Sequence, residues 1–295
     1  MKWVILTVKR LHVELVKSII KKAGLKETVR NSWVYGVYYR SVGNPLYPFY
    51  ALTWAVVKLF TIRKKVRING IELILPVKNW ITHFRWYLID KKEVEVRDWV
   101  DSEVVSDGTL FDIGGNMALI SMYAAKRHPD LEVYCFEPEY SNLALIKENL
   151  KFNKLMSRIN VCALAFSNIN GFSYLHIQDE EEGAAAHTES QSDIEKTDEG
   201  YDVVWKEGIA AYTLDHFCES NDIYPSSIKI DTDGNELKIL QGAQKVLQNQ
   251  KLKSIILEVP LEETEESKKC QDILIDQNFA KSSLSRGSNE AWIRA

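Results

Sequence analysis

From residue 110 onward, short apolar runs alternate with longer segments in which apolar residues recur every three or four positions. The short runs Leu110–Ile113, Val133–Phe136, Ile159–Ala163, Ser227–Ile230 and Ser254–Val259 predict buried strands. The periodic segments Met117–Lys126, Asn142–Phe152 and Glu236–Gln248 predict helices. In the second of these, Leu143, Ile146 and Leu150 share one face. Such alternation predicts an α/β fold: a doubly wound, mostly parallel sheet with helices on both faces. The C-terminal Ala291–Ala295 is expected to complete the sheet as a last strand.

Elsewhere the pattern changes. Residues 3–24 predict an amphipathic helix, with Leu11, Leu15 and Ile19 on a stripe broken by charge. Residues 31–50 are rich in tyrosine, and Pro45 and Pro48 mark a turn region. Residues 49–60 form a second apolar segment, followed at once by Arg63, Lys64, Lys65 and Arg67. Residues 66–76 alternate loosely around Asn69-Gly70, the signal of a hairpin. Residues 90–106 predict an acidic helix leading into the core. Between the third and fourth strands, residues 178–200 carry nine acids against Lys196 alone. Little there can offset the entropy of ordering, which predicts a mobile acidic loop, either a plain surface loop or a lid. The chain therefore divides into a basic, aromatic, helical extension (1–70) and a second domain (71–295).

Charge sharpens that division. The net charge is −4, but residues 1–70 hold fourteen Lys/Arg against Glu14 and Glu27, and the remainder holds 23 basic and 39 acidic residues. An aromatic, apolar segment flanked by cations suits peripheral contact with an anionic membrane, or a helix packed on the domain with a solvated basic face. Nucleic acid is not expected, because no binding motif accompanies the charge. Trp3–Val8 is too short for a secretory signal, and no run reaches the ~20 apolar residues of a membrane span. Four widely spaced cysteines without a Cys-x-x-Cys pair point to free thiols and a cytoplasmic setting, with or without peripheral membrane contact through residues 1–70.

The chemistry begins at Thr109-Leu-Phe-Asp-Ile-Gly-Gly-Asn116, a strand that runs into a glycine turn. Gly114 and Gly115 allow close approach of the backbone to a ligand. The fingerprint of dinucleotide sites needs further glycines, and here Met117, Ala118, Leu119 and Ile120 follow Asn116. A nucleoside without phosphates fits better, and S-adenosylmethionine (SAM) is the expected cofactor. Asp112 suits either the amino group of SAM or an orienting bond to the backbone. Glu137, ending the next strand, suits the ribose hydroxyls. Asn142 either caps its helix or touches the cofactor, and Ala165-Phe166 falls where this fold places the adenine. On the acceptor side stands Lys229-Ile-Asp-Thr-Asp-Gly-Asn-Glu236, at the carboxyl end of the fourth strand. Asp231 or Asp233 is the expected proton acceptor, with Glu236 orienting the acceptor or pairing with Lys229; the acids also suit a helix cap. His216 is a weaker candidate for that side. The calcium-loop spacing is incomplete and the six histidines show no ligand spacing, so no metal site is predicted, although Asp231 and Asp233 together suit Mg²⁺.

In order along the chain stand Phe111-Asp-Ile-Gly-Gly-Asn116, Phe136-Glu-Pro138, Asn142, Asn149 and Asn153, Ala165-Phe-Ser-Asn168 with Gly171, Tyr212-Thr-Leu-Asp215, Ile228–Glu236, Leu240-Gln-Gly-Ala243 and Leu257-Glu258. Over about Ile71–Pro260 this series resembles the FkbM-type SAM-dependent methyltransferases. The resemblance implies a class I methyltransferase (Rossmann-like) fold, SAM as donor, and often O-methylation of a saccharide or other small-molecule hydroxyl, as in glycan biosynthesis. Three positions depart from the family pattern. Ala118 stands where glycine is usual, Asp233 where glutamate is, and Asn168 where aspartate is common. These departures leave open a non-catalytic SAM-pocket protein partnering a glycan-biosynthesis enzyme. A nicotinamide-dependent oxidoreductase is the other alternative.

Overall fold

The computed structural model describes residues 62–295 apart from 90, 199 and 261–263. The expected helix at 3–24 and the apolar segment at 49–60 lie outside the described residues. The described chain forms a compact unit from Arg63 to Ala295. It opens with a hairpin of β1 (Ile62–Ile68) and β2 (Ile71–Val77). Asn69 and Gly70 turn it with φ of 45° and 84°, the left-handed pair that two-residue hairpins favour. The cut at 70/71 expected from charge therefore passes through one hairpin. Helices α1 (Trp80–Tyr87) and α2 (Val94–Ser102) follow.

The central sheet comprises β3 (Thr109–Ile113), β4 (Glu132–Phe136), β5 (Ile159–Cys162), β10 (Ser227–Ile230), β11 (Ser254–Glu258), β12 (Phe279–Lys281) and β13 (Asn289–Arg294). Their order is β12-β13-β11-β10-β3-β4-β5. β13 runs antiparallel between β11 and β12, and the strands from β11 to β5 are parallel. This is the doubly wound class I methyltransferase arrangement. Chain direction across the sheet reverses at β3, so a crevice opens between the carboxyl ends of β3 and β10.

Alternating side chains divide the core between two faces. Leu110, Val133 and Cys135 meet α2, α3 (Leu119–Arg127) and α4 (Tyr140–Asn153) through Trp99, Met122, Tyr123 and Leu145. Phe111, Ile113, Ile228 and Ile230 face α5 (Leu214–Asn221), α6 (Glu236–Gln241), α7 (Gln244–Gln248) and α8 (Glu265–Asp276). The hairpin is fastened to α4 by one amide. Asn153 Oδ1 accepts from the Ile74 N–H at 2.9 Å and its Nδ2 donates to the Ile74 carbonyl at 2.8 Å, as a neighbouring strand would.

Three parts of the fold differ from the sequence reading. First, the helix expected over 236–248 is two helices. A Cβ on Gly242 would lie 2.4 Å from the Ser167 carbonyl oxygen, so glycine lets the chain close in and bend there. The Gly242 carbonyl accepts from Asp215 N at 3.0 Å, while the Asp215 carboxylate caps α7 through Lys245 N at 3.0 Å and Val246 N at 2.9 Å. Second, a four-stranded sheet in the order β6-β9-β7-β8 is inserted after β5. Its strands are β6 (Ala165–Phe166), β7 (Gly171–Ile177), β8 (Thr188–Ser190) and β9 (Trp205–Tyr212). The acidic segment 178–200 thus contributes a paired strand and a buried Glu189 and is not a structureless loop. Third, α1, α5, α8 and β12 were not anticipated. The four cysteines are free thiols, and no helix among the described residues is long and apolar enough to cross a membrane.

Candidate active site

A cleft of about 500 Å³ occupies the crevice at the carboxyl edge of the sheet. It is lined by Asn116, Phe136, Glu137, Asn142, Ala165 and Phe166, by Asp231 and Asp233 after β10 and Glu258 of β11, and by Arg85, Glu93 and Ser288. The topology therefore brings together most of the residues singled out in the sequence.

The glycine turn owes its composition first to the protein itself. Gly114 has φ of 76°, and a Cβ there would sit 1.7 Å from the Asp231 carbonyl oxygen; on Gly115 it would sit 2.3 Å from Cys135 Sγ. Both glycines let neighbouring strands close on one another, a tighter demand than approach to a ligand. Asn116 (φ 47°) and Ala118 (φ 58°) continue the left-handed path. Glycine would adopt that conformation more cheaply than Ala118, so the departure here costs backbone energy rather than space. Asp233 has φ of 55°, a region that Asp tolerates better than most residues.

Glu137, only 5% exposed, accepts from Asn116 N at 2.7 Å, Glu139 N at 3.1 Å and Asn142 Nδ2 at 3.4 Å. Burial pushes its pKa up to about 7 against the pull of those donors. Asn142 does not cap α4. Glu139 does, accepting from Ser141 N at 2.8 Å and Asn142 N at 2.5 Å. Asn142 Oδ1 instead accepts from Gly183 N at 2.8 Å. The Ala184 carbonyl accepts from Asn116 Nδ2 at 2.6 Å and Asn142 Nδ2 at 3.3 Å. Phe166 packs against Phe136, with ring centroids 4.7 Å apart, and forms an aromatic wall beside Ala165.

Asp112 and Lys229 are register partners on adjacent strands, and both are buried. The Lys229 ammonium lies 3.3 Å from Asp112, 3.1 Å from Asp231 and 3.0 Å from the Gly114 carbonyl oxygen. Burial disfavours its charge, but the two carboxylates outweigh burial and raise its pKa well above the lysine range. Asp112 Oδ2 accepts from Ser121 N at 3.0 Å and Ser121 Oγ at 2.6 Å. It lines a smaller pocket that adjoins the cleft and shares Gly114, Asn116 and Asp231 with it, and its bonds to Ser121 fix the start of α3.

Glu236 is placed differently from the sequence reading. It accepts from Thr232 N and Oγ1, each at 2.9 Å, and from Gly234 N at 3.0 Å. It closes the turn after β10, does not pair with Lys229, and is absent from the cleft lining. Asp233 does line it, and Ala186 N donates to its Oδ2 at 2.6 Å. His216 is exposed and stacks on Tyr212 at 5.4 Å, away from the cleft lining.

The acid that sequence reasoning left out of the site is Glu258. Donor atoms of Asp231, Asp233 and Glu258 lie within 4.8 Å of one another, and these are the described carboxylates that could share a cation. Glu258 hydrogen-bonds to Asp231 and accepts from Ser288 Oγ at 2.9 Å. Burial and the Asp231 charge push its pKa up to about 9. Burial also resists the charge on Asp231, but Lys229, the bond to Glu258 and Arg85 together lower its pKa. The opposite directions favour one proton between the two carboxylates, on the Glu258 side. Glu258 ends β11, next to β10 in a parallel sheet, so the strand-edge rule that found Asp231 applies equally to it. Arg85, Glu93, His187 and Glu189 also line the cleft, and no sequence motif marks them.

No curated protein sequence matches the chain. Among solved structures, similar ones include Methyltransferase FkbM from Methylobacillus flagellatus KT, with 15% identity, a TM-score of 0.44, and coverage of 64% of this chain and 44% of that one. This chain therefore spans less than half of that protein's length. Precorrin-6y C5,15-methyltransferase from Geobacter metallireducens GS-15 gives 14% identity, a TM-score of 0.41, and coverage of 69% and 93%. A protein in the NADB-Rossmann superfamily from Streptococcus agalactiae gives 15%, 0.39, and coverage of 68% and 67%. The family model described as the Methyltransferase FkbM domain matches residues 109–278, more than half of the 295 residues. That match starts at the central strand β3 and runs past α8, and by it the chain belongs to the FkbM methyltransferase family.

Proposed function

We propose that the protein transfers a methyl group from SAM to a hydroxyl oxygen of a saccharide or another small molecule. The observation that carries this is a carboxylate held ready at each of two strand ends in one cleft: Glu137 at the end of β4 and Asp231 at the end of β10. The residues fit a nucleoside donor. Glu137 is nearly buried yet faces the cleft, and Asn116 Oδ1 is a buried acceptor that no described donor meets. When bound, SAM supplies an electrophilic methyl on a sulfonium, whose leaving group is a neutral thioether. The protein's part is alignment and removal of one proton. Asp231, kept ionised by Lys229, takes the proton of the acceptor hydroxyl, and protonated Glu258 holds Asp231 in place. Arg85 and Glu93 also line the cleft.

Calorimetric titration of the full chain with SAM and with S-adenosylhomocysteine tests this reading. Ribose hydroxyls donate to a carboxylate, so binding selects ionised Glu137. With its pKa at about 7, affinity should rise about tenfold per unit as pH increases from 5.5 toward 7 and then level off, with proton release near pH 7. Glu137→Gln should bind more weakly and without this pH dependence. Failure of both ligands to bind at any pH would end the SAM reading. Binding without turnover on any saccharide or lipid-linked glycan would favour a non-catalytic pocket.

A further inference from the structure

Helix α1 carries a surface that the methyl-transfer reading does not use. Trp80, His83, Phe84 and Tyr87 fall at i, i+3, i+4 and i+7, one stripe of the helix. The rings are stacked: Trp80–His83 centroids are 5.5 Å apart, Trp80–Phe84 6.5 Å and His83–Tyr87 6.4 Å. The stripe faces water, with Trp80 74%, Tyr87 63% and Phe84 40% exposed. Large exposed aromatic patches mark contact surfaces.

Cations surround it. Lys92 Nζ lies 5.6 Å from the centre of the Phe84 ring, and Lys64 Nζ 5.3 Å from that of Trp86, which itself touches His83. Residues 63–92 hold eight Lys/Arg against Glu72 and Asp90; Lys65 pairs with Glu72 and Lys78 with Glu148 and Glu182, while Arg63, Lys64, Arg67, Lys91 and Lys92 are exposed. Helix α1 itself contains no acid. The whole segment precedes the family match at residue 109, so it is a property of this chain rather than of the matched domain.

We infer that the α1 face is a docking surface for an anionic phospholipid bilayer, with Trp80, Phe84 and Tyr87 seated at the headgroup level and the surrounding lysines on lipid phosphates. Trp and Tyr favour that depth because each has an apolar body and a polar edge. The positive segment complements an anionic leaflet, whereas a neutral partner would leave that charge unmatched. The surface continues into the cleft, whose lining includes Arg85, Lys91 and Lys92. The helix is also tied to the cleft wall. Arg85 Nε donates to the Gly183 carbonyl at 2.7 Å, and Asn79 Nδ2 to the Glu182 carbonyl at 3.0 Å. Docking would therefore bring the cleft to the membrane surface. The bilayer contact stands independently, and its implication of a lipid-carried acceptor rests on the methyltransferase reading.

The test is co-sedimentation of the full chain with phosphatidylcholine vesicles, with and without phosphatidylglycerol. The parent should sediment with the anionic vesicles alone and be released by salt, as screening requires. Trp80→Ser/Phe84→Ser/Tyr87→Ser should weaken sedimentation about tenfold or more, given three lost interfacial rings. Its circular dichroism and S-adenosylhomocysteine affinity should match the parent. Absence of sedimentation at low salt, or a variant that binds as well as the parent, would overturn the inference. So would a parent dimer that the variant converts to monomer, since the stripe would then be a contact between copies. Vesicle binding without SAM binding would sink the functional reading alone; SAM binding without vesicle binding would sink this one alone.

Discussion

Asp231→Asn should lower kcat by about 10²–10⁴-fold, the usual contribution of a positioned general base, and leave SAM affinity within a few-fold. Asparagine keeps the shape and can still bond to its neighbours, but it cannot take a proton. Glu137, the proposed ribose contact, follows β4 on the far side of β3 from Asp231. Asp233→Asn gives the contrast. Asp233 holds Ala186 N, so its loss should act through loop placement and appear mainly in KM. Equal losses of kcat in both variants would break the assignment. The shared proton adds a pH signature. Glu258 gives up its proton only near pH 9, and its ionisation places a second negative charge beside Asp231. Activity should fall above that pH, and Glu258→Gln, which cannot ionise, should remove the alkaline decline while retaining much of the neutral rate. An unchanged decline in that variant would show that the proton lies elsewhere.

Lys229→Met should destabilise the fold by about 3–5 kcal/mol, the cost of leaving buried charge without its partner. The ammonium serves Asp112, Asp231 and the Gly114 carbonyl at once, and methionine serves none of them. Asp231 would then lose the cation that lowers its pKa, and burial would raise its folded pKa above the unfolded one. The sign follows: the variant's folded state binds more protons than its unfolded state, so its stability should rise as pH falls toward 5. Adding Asp112→Asn should recover part of the loss. Urea denaturation at pH 5 and pH 8 measures both effects. A loss below 1 kcal/mol at pH 8 would mean that water or another cation compensates the carboxylates.

Much of this architecture was legible because buried parallel strands are short continuous apolar runs, and β3, β4 and β11 are largely of that kind. The inserted sheet escaped notice for the opposite reason. β9, Trp205-Lys-Glu-Gly-Ile-Ala-Ala-Tyr212, is half-exposed, with a glycine and two charges, and its partner β7 begins with exposed residues. Neither shows its pairing locally. The site was legible where a strand ends in an acid, as at Glu137 and Asp231. It was misread where an acid serves the backbone, because Glu236 as a turn clasp and Glu236 as a ligand have the same sequence. Arg85 and Glu93 reach the cleft from elements before β3, and only the folded chain shows that. The glycines were found, but their main cause is the Asp231 carbonyl and the Cys135 sulfur, atoms far from them in sequence.

The short stretch 183–186 ties two parts of the cleft together. Its Gly183 and Ala184 are bonded to Asn116 and Asn142 beside Glu137, and its Ala186 to Asp233. A ligand that shifts the Ala184 carbonyl therefore changes the strain on Asp233, and an acceptor that draws on Asp233 alters how firmly Asn116 and Asn142 are held. If donor and acceptor bind as proposed, their affinities should be coupled, and thermodynamic reciprocity makes the factor by which each alters the other's binding the same in both directions.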